Sequence, residues 1–436
     1  MQLDFHYYAT YCAAVLAGWS REESAEIAYS AQMVDCCSRL FLQKVKGPAA
    51  AATTQLQAEL MDARTDILGL QDITRIWSSF HFLPADLKAP LKRGNRLYRS
   101  KYRLICGPNG DLAAETAELA KRKGTLQAAG IAMHVLADTW AHRYFAGTPS
   151  LVINNTNYFF RELIPEGEDF RERPVVFRHN PAGADDPVQG RYTATPFQIR
   201  ENSVMNLGHG RAGHLPDYSF MQYCYLPAWN EYREIRKDNP SDYWNAFCQM
   251  VYALKFLRGD AGSAASESGA AEAGVGESGA PLSGAAETGV GEPGAAETGA
   301  GEPGIDRVGA FRTGVYDTEA CGPLKEEIDV ILRKRQTDAS GDWRALGEKL
   351  SGRALEDFDE NRYSGDYLVA PADRKKGSFL GRFFDAALAQ KAMVTDRIFR
   401  SGSLLAGFSL NLEGKNLDVI RQLLELGKLT GGGGSL

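Results

Sequence analysis

Hydrophobic residues recur every three or four positions over most of the first 260 residues, a pattern that predicts helices. Ser20 followed by Glu23 has the spacing of a helix capping box, and Gly124 predicts a break between two helices. Alternation with a period of two is weak, so the predicted fold class is mainly α. The segments with helical periodicity are YYATYCAAVLAGW, SREESAEIAYSAQMVDCCSRLFLQKV, LAAETAELAKRKGTLQAAGIAMHVLADTWAHRYF and DYWNAFCQMVYALKFLRG.

Two regions depart from this pattern. Residues 149–200 contain Pro, Asn, Gly and short β-prone pieces such as PVVFRH and RYTATPF, which predict an irregular excursion. Residues 259–305 are of low complexity, with GAAETGVGEP followed directly by GAAETGAGEP. Gly, Ala, Glu and Pro without aromatic residues bury too little surface to offset the loss of backbone entropy. This segment is therefore predicted to be a disordered linker, or a neutral insertion in a surface loop.

Helical periodicity resumes after the linker, in CGPLKEEIDVILRKRQ, GDWRALGEKLSG, FLGRFFDAALAQKAMVTDRIFRS and NLDVIRQLLELG. These helices are amphipathic but too few to form a large core alone, so they are expected to pack on the first domain. The predicted organisation is an all-α domain over residues 1–258, a linker over 259–305, and C-terminal helices over 306–430.

Composition narrows the class of protein. The net charge of the chain is −6, and the linker alone contributes eight negative charges and no positive ones. The rest of the chain is therefore nearly neutral. No preference for nucleic acid or an anionic membrane follows from charge. Seven cysteines without a CxxC pair fit a reducing compartment. The N-terminal segment does not resemble a secretory signal, and no run of about 18 apolar residues occurs. We therefore expect a cytoplasmic protein without stable membrane insertion.

Metal-capable side chains line one face of a predicted helix in HVLADTWAH. His134, Asp138 and His142 are spaced four apart, and each step of four turns only about 40° around an α-helix. Imidazole nitrogens and a carboxylate oxygen on one face suit a divalent ion. Only seven histidines occur in the chain, and two of them are here. The alternative is a buried polar ladder in which Asp138 orients a histidine ring.

Further candidates extend this motif along the chain. In chain order they give His, Asp and His, then the HxxxDxxxH helix, then a second His/Asp group in GHGRAGHLPD. Each alone also fits a helix cap, a core histidine or a salt-bridge partner. The additional candidates are His6, Asp35, His81, His209, His214 and Asp217.

This order resembles the zinc-dependent phospholipase C and S1/P1 nuclease superfamily, whose all-α enzymes hold three zinc ions with His, Asp or Glu and the amino terminus. The resemblance covers roughly residues 1–220 through sparse motifs. The chain is also similar to an uncharacterised bacterial family with DFHYYATY near the start and GHGRAGHLPD later. The resemblance implies a multi-helix bundle of the phospholipase C or P1 nuclease type.

Residue by residue, the resemblance implies that Asp138 bridges two metal ions. It also implies that Asp35 and His81 complete the binding site for this pair of ions, together with the helix that carries Asp138. The late ligands stay open, because Gly213 stands four residues after His209 while Asp217 stands three after His214. Met1 stands five positions before His6, as the metal-binding first residue does in the nuclease branch. The N-terminal Trp of that branch is absent.

Two or three zinc ions would suit hydrolysis of a phosphodiester, in a phospholipid or a nucleic acid, because they activate water and neutralise phosphate charge. Asp35 is the candidate catalytic carboxylate, and Arg143 and Arg211 are candidate phosphate contacts, with ordinary salt bridges as the alternative. The function predicted is a metal-dependent phosphodiesterase. The alternatives are a non-catalytic, metal-stabilised interaction module and a toxin-like effector exported by a non-classical route.

Overall fold

Helices dominate the computed structural model, which confirms the mainly α class. It describes residues 1–55, 67–89, 102–147, 159–178, 184–193, 211–259 and 310–402. The predicted linker beyond Gly259 and the predicted helix over 416–427 lie outside these residues. In chain order the helices are a π-helical turn Asp4–Ala9, α1 Thr10–Leu16, α2 Arg21–Cys36, α3 Arg39–Val45, α4 Ile67–Phe80, α5 Asp111–Lys123, α6 Leu126–Ala141, α7 Asn239–Arg258, α8 Thr318–Cys321, α9 Lys325–Arg333, α10 Ser340–Ser351, α11 Ser364–Val369 and α12 Phe379–Arg400.

Helix ends follow the local signals in the sequence. The Ser20 hydroxyl accepts the Glu23 N–H at 3.2 Å, and the Glu23 carboxylate accepts the Ser20 N–H at 3.0 Å. This reciprocal pair satisfies two backbone donors at the start of α2, as the capping box predicted. Gly124 has φ +61° between α5 and α6, a backbone conformation that favours glycine.

The irregular excursion contains short strands. The two β-prone pieces form a parallel pair, Val176–Arg178 with Arg191–Thr193. A four-stranded antiparallel sheet was not predicted, because its outermost strand Asp169–Pro174 is almost entirely exposed and shows no alternation of apolar residues. In chain order the strands are β1 Arg161–Glu166, β2 Asp169–Pro174, β3 Val176–Arg178, β4 Arg191–Thr193, β5 Gln222–Tyr225 and β6 Ile235–Asp238, with sheet orders β2-β1-β5-β6 and β3-β4.

Helix α6 lies at the centre of the core, with every residue from Gln127 to Ala141 buried. Residues 310–402 contribute to the same apolar cluster as the first helices. The ring of Trp343 lies 5.8 Å from Phe5 and 5.4 Å from Phe247. The C-terminal helices therefore pack directly against the elements that carry the candidate ligands.

Two further observations concern the cysteines and the apolar helices. All seven cysteines are free thiols and six are buried, which suits their use as small apolar residues. Among the described residues, none of the helices is long and apolar enough to span a bilayer.

Candidate metal centre

Helix α6 presents His134 and Asp138 from the interior of the molecule, at 0% and 1% exposure. A close approach of α2 to α6 sets their surroundings. A Cβ on Gly130 would lie 2.3 Å from the carbonyl oxygen of Ile27, so only glycine permits this contact. One turn further along α2, the Ala31 carbonyl lies 3.0 Å from Nδ1 of His134. Buried polar side chains need partners, and the packing of α2 supplies the first.

Three histidines each give one ring nitrogen to a backbone carbonyl. The pairs are His134 Nδ1 with Ala31 at 3.0 Å, His142 Nδ1 with His81 at 2.6 Å, and His81 Nε2 with Thr53 at 3.0 Å. A carbonyl oxygen only accepts, so the ring nitrogen that faces it carries the hydrogen. The opposite nitrogen of a neutral ring then presents a lone pair. Metal-binding histidines are held in this way, by a hydrogen bond from the nitrogen that does not bind the ion.

The free nitrogens of two rings converge with one carboxylate oxygen. His81 Nδ1 and His134 Nε2 lie 3.3 Å apart, and each lies 3.2 Å from Oδ2 of Asp138. Ligand atoms bonded to one zinc ion at about 2.0–2.1 Å, with angles of about 90–110°, stand roughly 2.9–3.4 Å apart. Oδ1 of Asp35 lies 3.8 Å and 4.0 Å from the two nitrogens. The three converging atoms could therefore hold one metal ion, with the carboxylate of Asp35 as a neighbour.

The other oxygen of Asp138 faces a second set of donors. Its Oδ1 lies 2.8 Å from the amino nitrogen of Met1. Oδ1 of Asp217 lies 3.3 Å from that nitrogen and 3.3 Å from Nε2 of His142. The two oxygens of Asp138 therefore point to different donor sets, which is the arrangement of a carboxylate that bridges two ions.

His6 is fully buried, and both of its ring nitrogens lack a hydrogen bond. It lies in the π-helical turn Asp4–Ala9. Its ring stacks on that of His134 with centroids 3.8 Å apart. Its Nε2 lies 3.2 Å from Oδ1 of Asp138 and 3.9 Å from Oδ2 of Asp35. An unpaired polar group in the interior is costly, and a cation between these atoms would remove that cost.

Electrostatics shows how the cluster balances its charge without metal. Burial lowers the pKa of His6 and of His134 to about 4, so both rings are neutral at pH 7. Burial also lowers the pKa of the Met1 ammonium, but Asp138, Asp217 and Asp35 outweigh it and raise this pKa to about 11. Burial also lowers the pKa of His81, but the hydrogen bond to Asp138 outweighs it, and the pKa of His81 is raised. The proton on the Met1 ammonium thus occupies a position that a bound cation would take.

Asp138 is the anionic centre of this arrangement. Burial by itself would raise its pKa, but His142, the Met1 ammonium and His134 hold it well below its usual range. Burial raises the pKa of Asp35, the more exposed carboxylate of the cluster. The two carboxylates therefore have different acidities within one site.

The remaining predicted residues do not all join the cluster. His214 is half exposed, and its Nδ1 lies 3.2 Å from Asp185. The carboxylate of Asp217 faces Met1 and His142. Nη1 of Arg143 lies 3.7 Å from Asp242, as its salt-bridge alternative suggested. Arg211 is buried just before the 3-10 turn that carries Asp217. His209 lies outside the described residues.

Several groups that shape the site gave no signal in the sequence. The carbonyls of Ala31, Thr53 and His81 are backbone atoms, available at any residue. Asp185 accepts hydrogen bonds from Tyr218 at 2.6 Å and from the Thr193 N–H at 2.5 Å. It stands in the irregular excursion, where no periodicity marks it. These hydrogen-bond partners can be identified only from the tertiary structure, because they come from segments that are distant in the sequence.

Comparison with known proteins yields one match. A family model described as "Family of unknown function (DUF6765)" matches residues 1–277, which include every candidate ligand. Neither a curated protein nor a solved structure matches the chain.

Proposed function

The chain belongs to the DUF6765 family, and we propose that it is a zinc-dependent phosphodiester hydrolase with a helical fold of the phospholipase C and S1/P1 nuclease type. The observation that carries this proposal is the position of Asp138, whose two oxygens face separate sets of nitrogen donors. The order of the donors supports the fold assignment. From the N-terminus they are Met1, His6, Asp35, His81, His134, Asp138, His142 and Asp217.

The donor set favours zinc over calcium or magnesium. Imidazole nitrogens outnumber carboxylates around Asp138, and hard cations prefer oxygen ligands. No cysteine is among the residues that converge there. Two donor sets on opposite oxygens of one carboxylate, with His6 beside both, accommodate two to three ions.

One side of the cluster, at Asp35, is more accessible to solvent than the rest, which favours catalysis over a purely structural role. The side chain of Asp35 is 31% exposed, whereas those of Asp138 and His134 are at most 1% exposed. Structural zinc sites are closed by protein ligands, and catalytic sites keep a position for water or substrate. A substrate would therefore approach from the side of Asp35.

Bound zinc ions would supply Lewis acidity at the phosphate and activate water for attack. Asp35 would orient the attacking water and take its proton, while the P–O bond to the departing alcohol breaks and that alcohol oxygen leaves with a proton from solvent. Ala31, Thr53 and His81 hold the histidine rings through their carbonyls and keep the lone pairs aimed at the ions.

The substrate class proposed is a phosphodiester of a phospholipid or a nucleic acid. Arg143 is the proposed phosphate contact, because its side chain is 31% exposed and its guanidinium lies 3.7 Å from Asp242. Arg211 is the second proposed contact and is more deeply buried.

Metal content and turnover test this function together. Full-length protein purified without chelator is expected to hold two to three zinc ions by elemental mass spectrometry and to hydrolyse bis-p-nitrophenyl phosphate. Asp138→Asn keeps the side-chain volume and should lose most of the zinc and at least about 100-fold in rate. Asp385→Asn is the control, since this carboxylate is exposed and pairs with Lys123.

The outcomes separate the candidate functions. Wild-type protein that stays metal-free when zinc is supplied contradicts the proposal and leaves a polar ladder around Asp138. Zinc bound at full stoichiometry without turnover of nucleic acid, phospholipid or the nitrophenyl ester favours the metal-stabilised interaction module.

A further inference from the structure

The π-helical turn that carries His6 is covered by residues 338–358, here named the C-terminal clamp. The clamp lies beyond residue 277, where the family match ends. Oδ2 of Asp4 accepts the N–H of Ala339 at 3.2 Å, directly before helix α10. The ring of Trp343 contacts the edge of Phe5 with centroids 5.8 Å apart. The start of α10 thus packs against the residues on the N-terminal side of His6.

The end of the clamp holds the residues that follow His6. The hydroxyl of Tyr7 donates to the carbonyl of Glu356 at 3.0 Å. The hydroxyl of Tyr8 donates to Asp357 at 2.8 Å and accepts from Arg344 at 2.8 Å. Arg344 also forms an ion pair with Asp357. Residues on both sides of His6 are therefore bonded to one C-terminal segment.

His6 depends on this support more than the other ligands do. His81, His134 and His142 each have a ring nitrogen held by a backbone carbonyl, but neither nitrogen of His6 has a hydrogen bond. Its ring is placed by stacking on His134 and by the backbone of the π-helical turn. A small displacement of that turn would move the His6 nitrogen away from Asp138 with no other bond to restore it.

We propose that the C-terminal clamp is a positioning device for His6, so that the affinity for the ion bound by His6 depends on residues 338–358. Tyr7, Tyr8 and Asp4 act as positioning residues through the turn. The ion between His81 and His134 is placed by α6, by the residue that follows α4 and by the carbonyls of Ala31 and Thr53, none of which belongs to the clamp. The inference rests on the proposed metal centre and adds a role for the part of the chain beyond the family match.

Cadmium-113 NMR of the full-length protein tests the clamp, because each bound ion gives its own resonance. In Tyr7→Phe/Tyr8→Phe, which removes only the two hydroxyl groups, the ion assigned to His6 should bind at least about 10-fold more weakly by chelator competition. A His6→Asn variant assigns that resonance. Tyr316→Phe is the control, because the Tyr316 hydroxyl bonds to Asn109 at 2.7 Å and to no residue of the clamp.

Selective loss of the His6 resonance, with the others unchanged, supports the proposal. Equal weakening of all resonances, or no change in any, overturns it. Asp4→Asn, which removes one of two backbone acceptors, should give the same selective loss if the double variant does not fold. A wild-type protein without any bound cadmium or zinc would overturn the metal centre itself, which distinguishes that failure from failure of the clamp alone.

Discussion

Nδ1 of His81 and Nε2 of His134 lie 3.3 Å apart, and both lie 3.2 Å from the same oxygen of Asp138. Two neutral rings would place two lone pairs against each other and against a carboxylate, which is repulsive. The hydrogen bond to Asp138 raises the pKa of His81, which favours a proton on this ring, whereas burial lowers the pKa of His134 to about 4. The proposed zinc ion would bind all three atoms, so we expect metal binding to displace protons.

Proton release gives the first prediction. Zinc titration by calorimetry at pH 7.5, in two buffers of different ionisation enthalpy, should report at least one proton released per chain. The Met1 ammonium supplies it, because its pKa of about 11 keeps it protonated before the ion binds. Placing Gly-Ser ahead of Met1 moves this amine away from Asp138. That variant should release about one proton fewer and bind one ion roughly 10-fold more weakly. An identical proton count in both proteins would contradict Met1 ligation.

Close packing of α2 on α6 gives the second prediction. Gly130→Ala places a Cβ 2.3 Å from the Ile27 carbonyl, and backbone cannot move away as a flexible side chain would. We expect a loss of about 1–3 kcal/mol in the free energy of unfolding, with a lower zinc content because His134 shifts from Ala31. Urea unfolding and elemental analysis measure both. Gly341→Ala, in α10 and facing open space, should change stability by less than about 1 kcal/mol.

The buried carboxyl of Asp4 gives a pH-dependent prediction. Burial raises its pKa to about 6, against 3.8 in the unfolded chain. Between these values the folded protein binds more protons than the unfolded one, so the contribution of Asp4 to stability falls as pH rises from about 4 to 6. The free energy of unfolding of wild type minus that of Asp4→Asn should therefore decrease over this range and level off above it. A difference that is flat or rises between pH 4 and 6 would refute this assignment.

An ion pair at the end of α6 gives the fourth prediction. Buried Lys237 donates to the Trp140 carbonyl at 2.9 Å and pairs with Asp242. Lys237→Met leaves Asp242 without its closest cation, and we expect a loss of about 3–5 kcal/mol in chemical unfolding. Lys88→Met removes a comparable pair with Asp111 on the surface and should cost less than about 1 kcal/mol. If both variants lost a similar free energy of unfolding, burial would not explain the cost of breaking the Lys237–Asp242 pair.

Local features of the fold were predictable because they depend on neighbours in the sequence. The capping box at Ser20 and the break at Gly124 were correct, since each involves hydrogen bonds or dihedral angles within one turn of chain. The antiparallel sheet was missed, because strands such as β1 and β5 pair residues about 60 positions apart. Charge on an exposed edge strand also hides the alternation that marks a strand.

Helical periodicity alone places His134, Asp138 and His142 on one face, because residues four apart on an α-helix return to nearly the same direction. Tertiary structure brings Asp217 to the cluster and pairs His214 with Asp185, while His209 lies outside the described residues. It also supplied the carbonyls that orient the rings and the C-terminal segment that covers His6. These contacts join residues from 28 to more than 300 positions apart, and only packing of the core sets which backbone atoms meet which side chains.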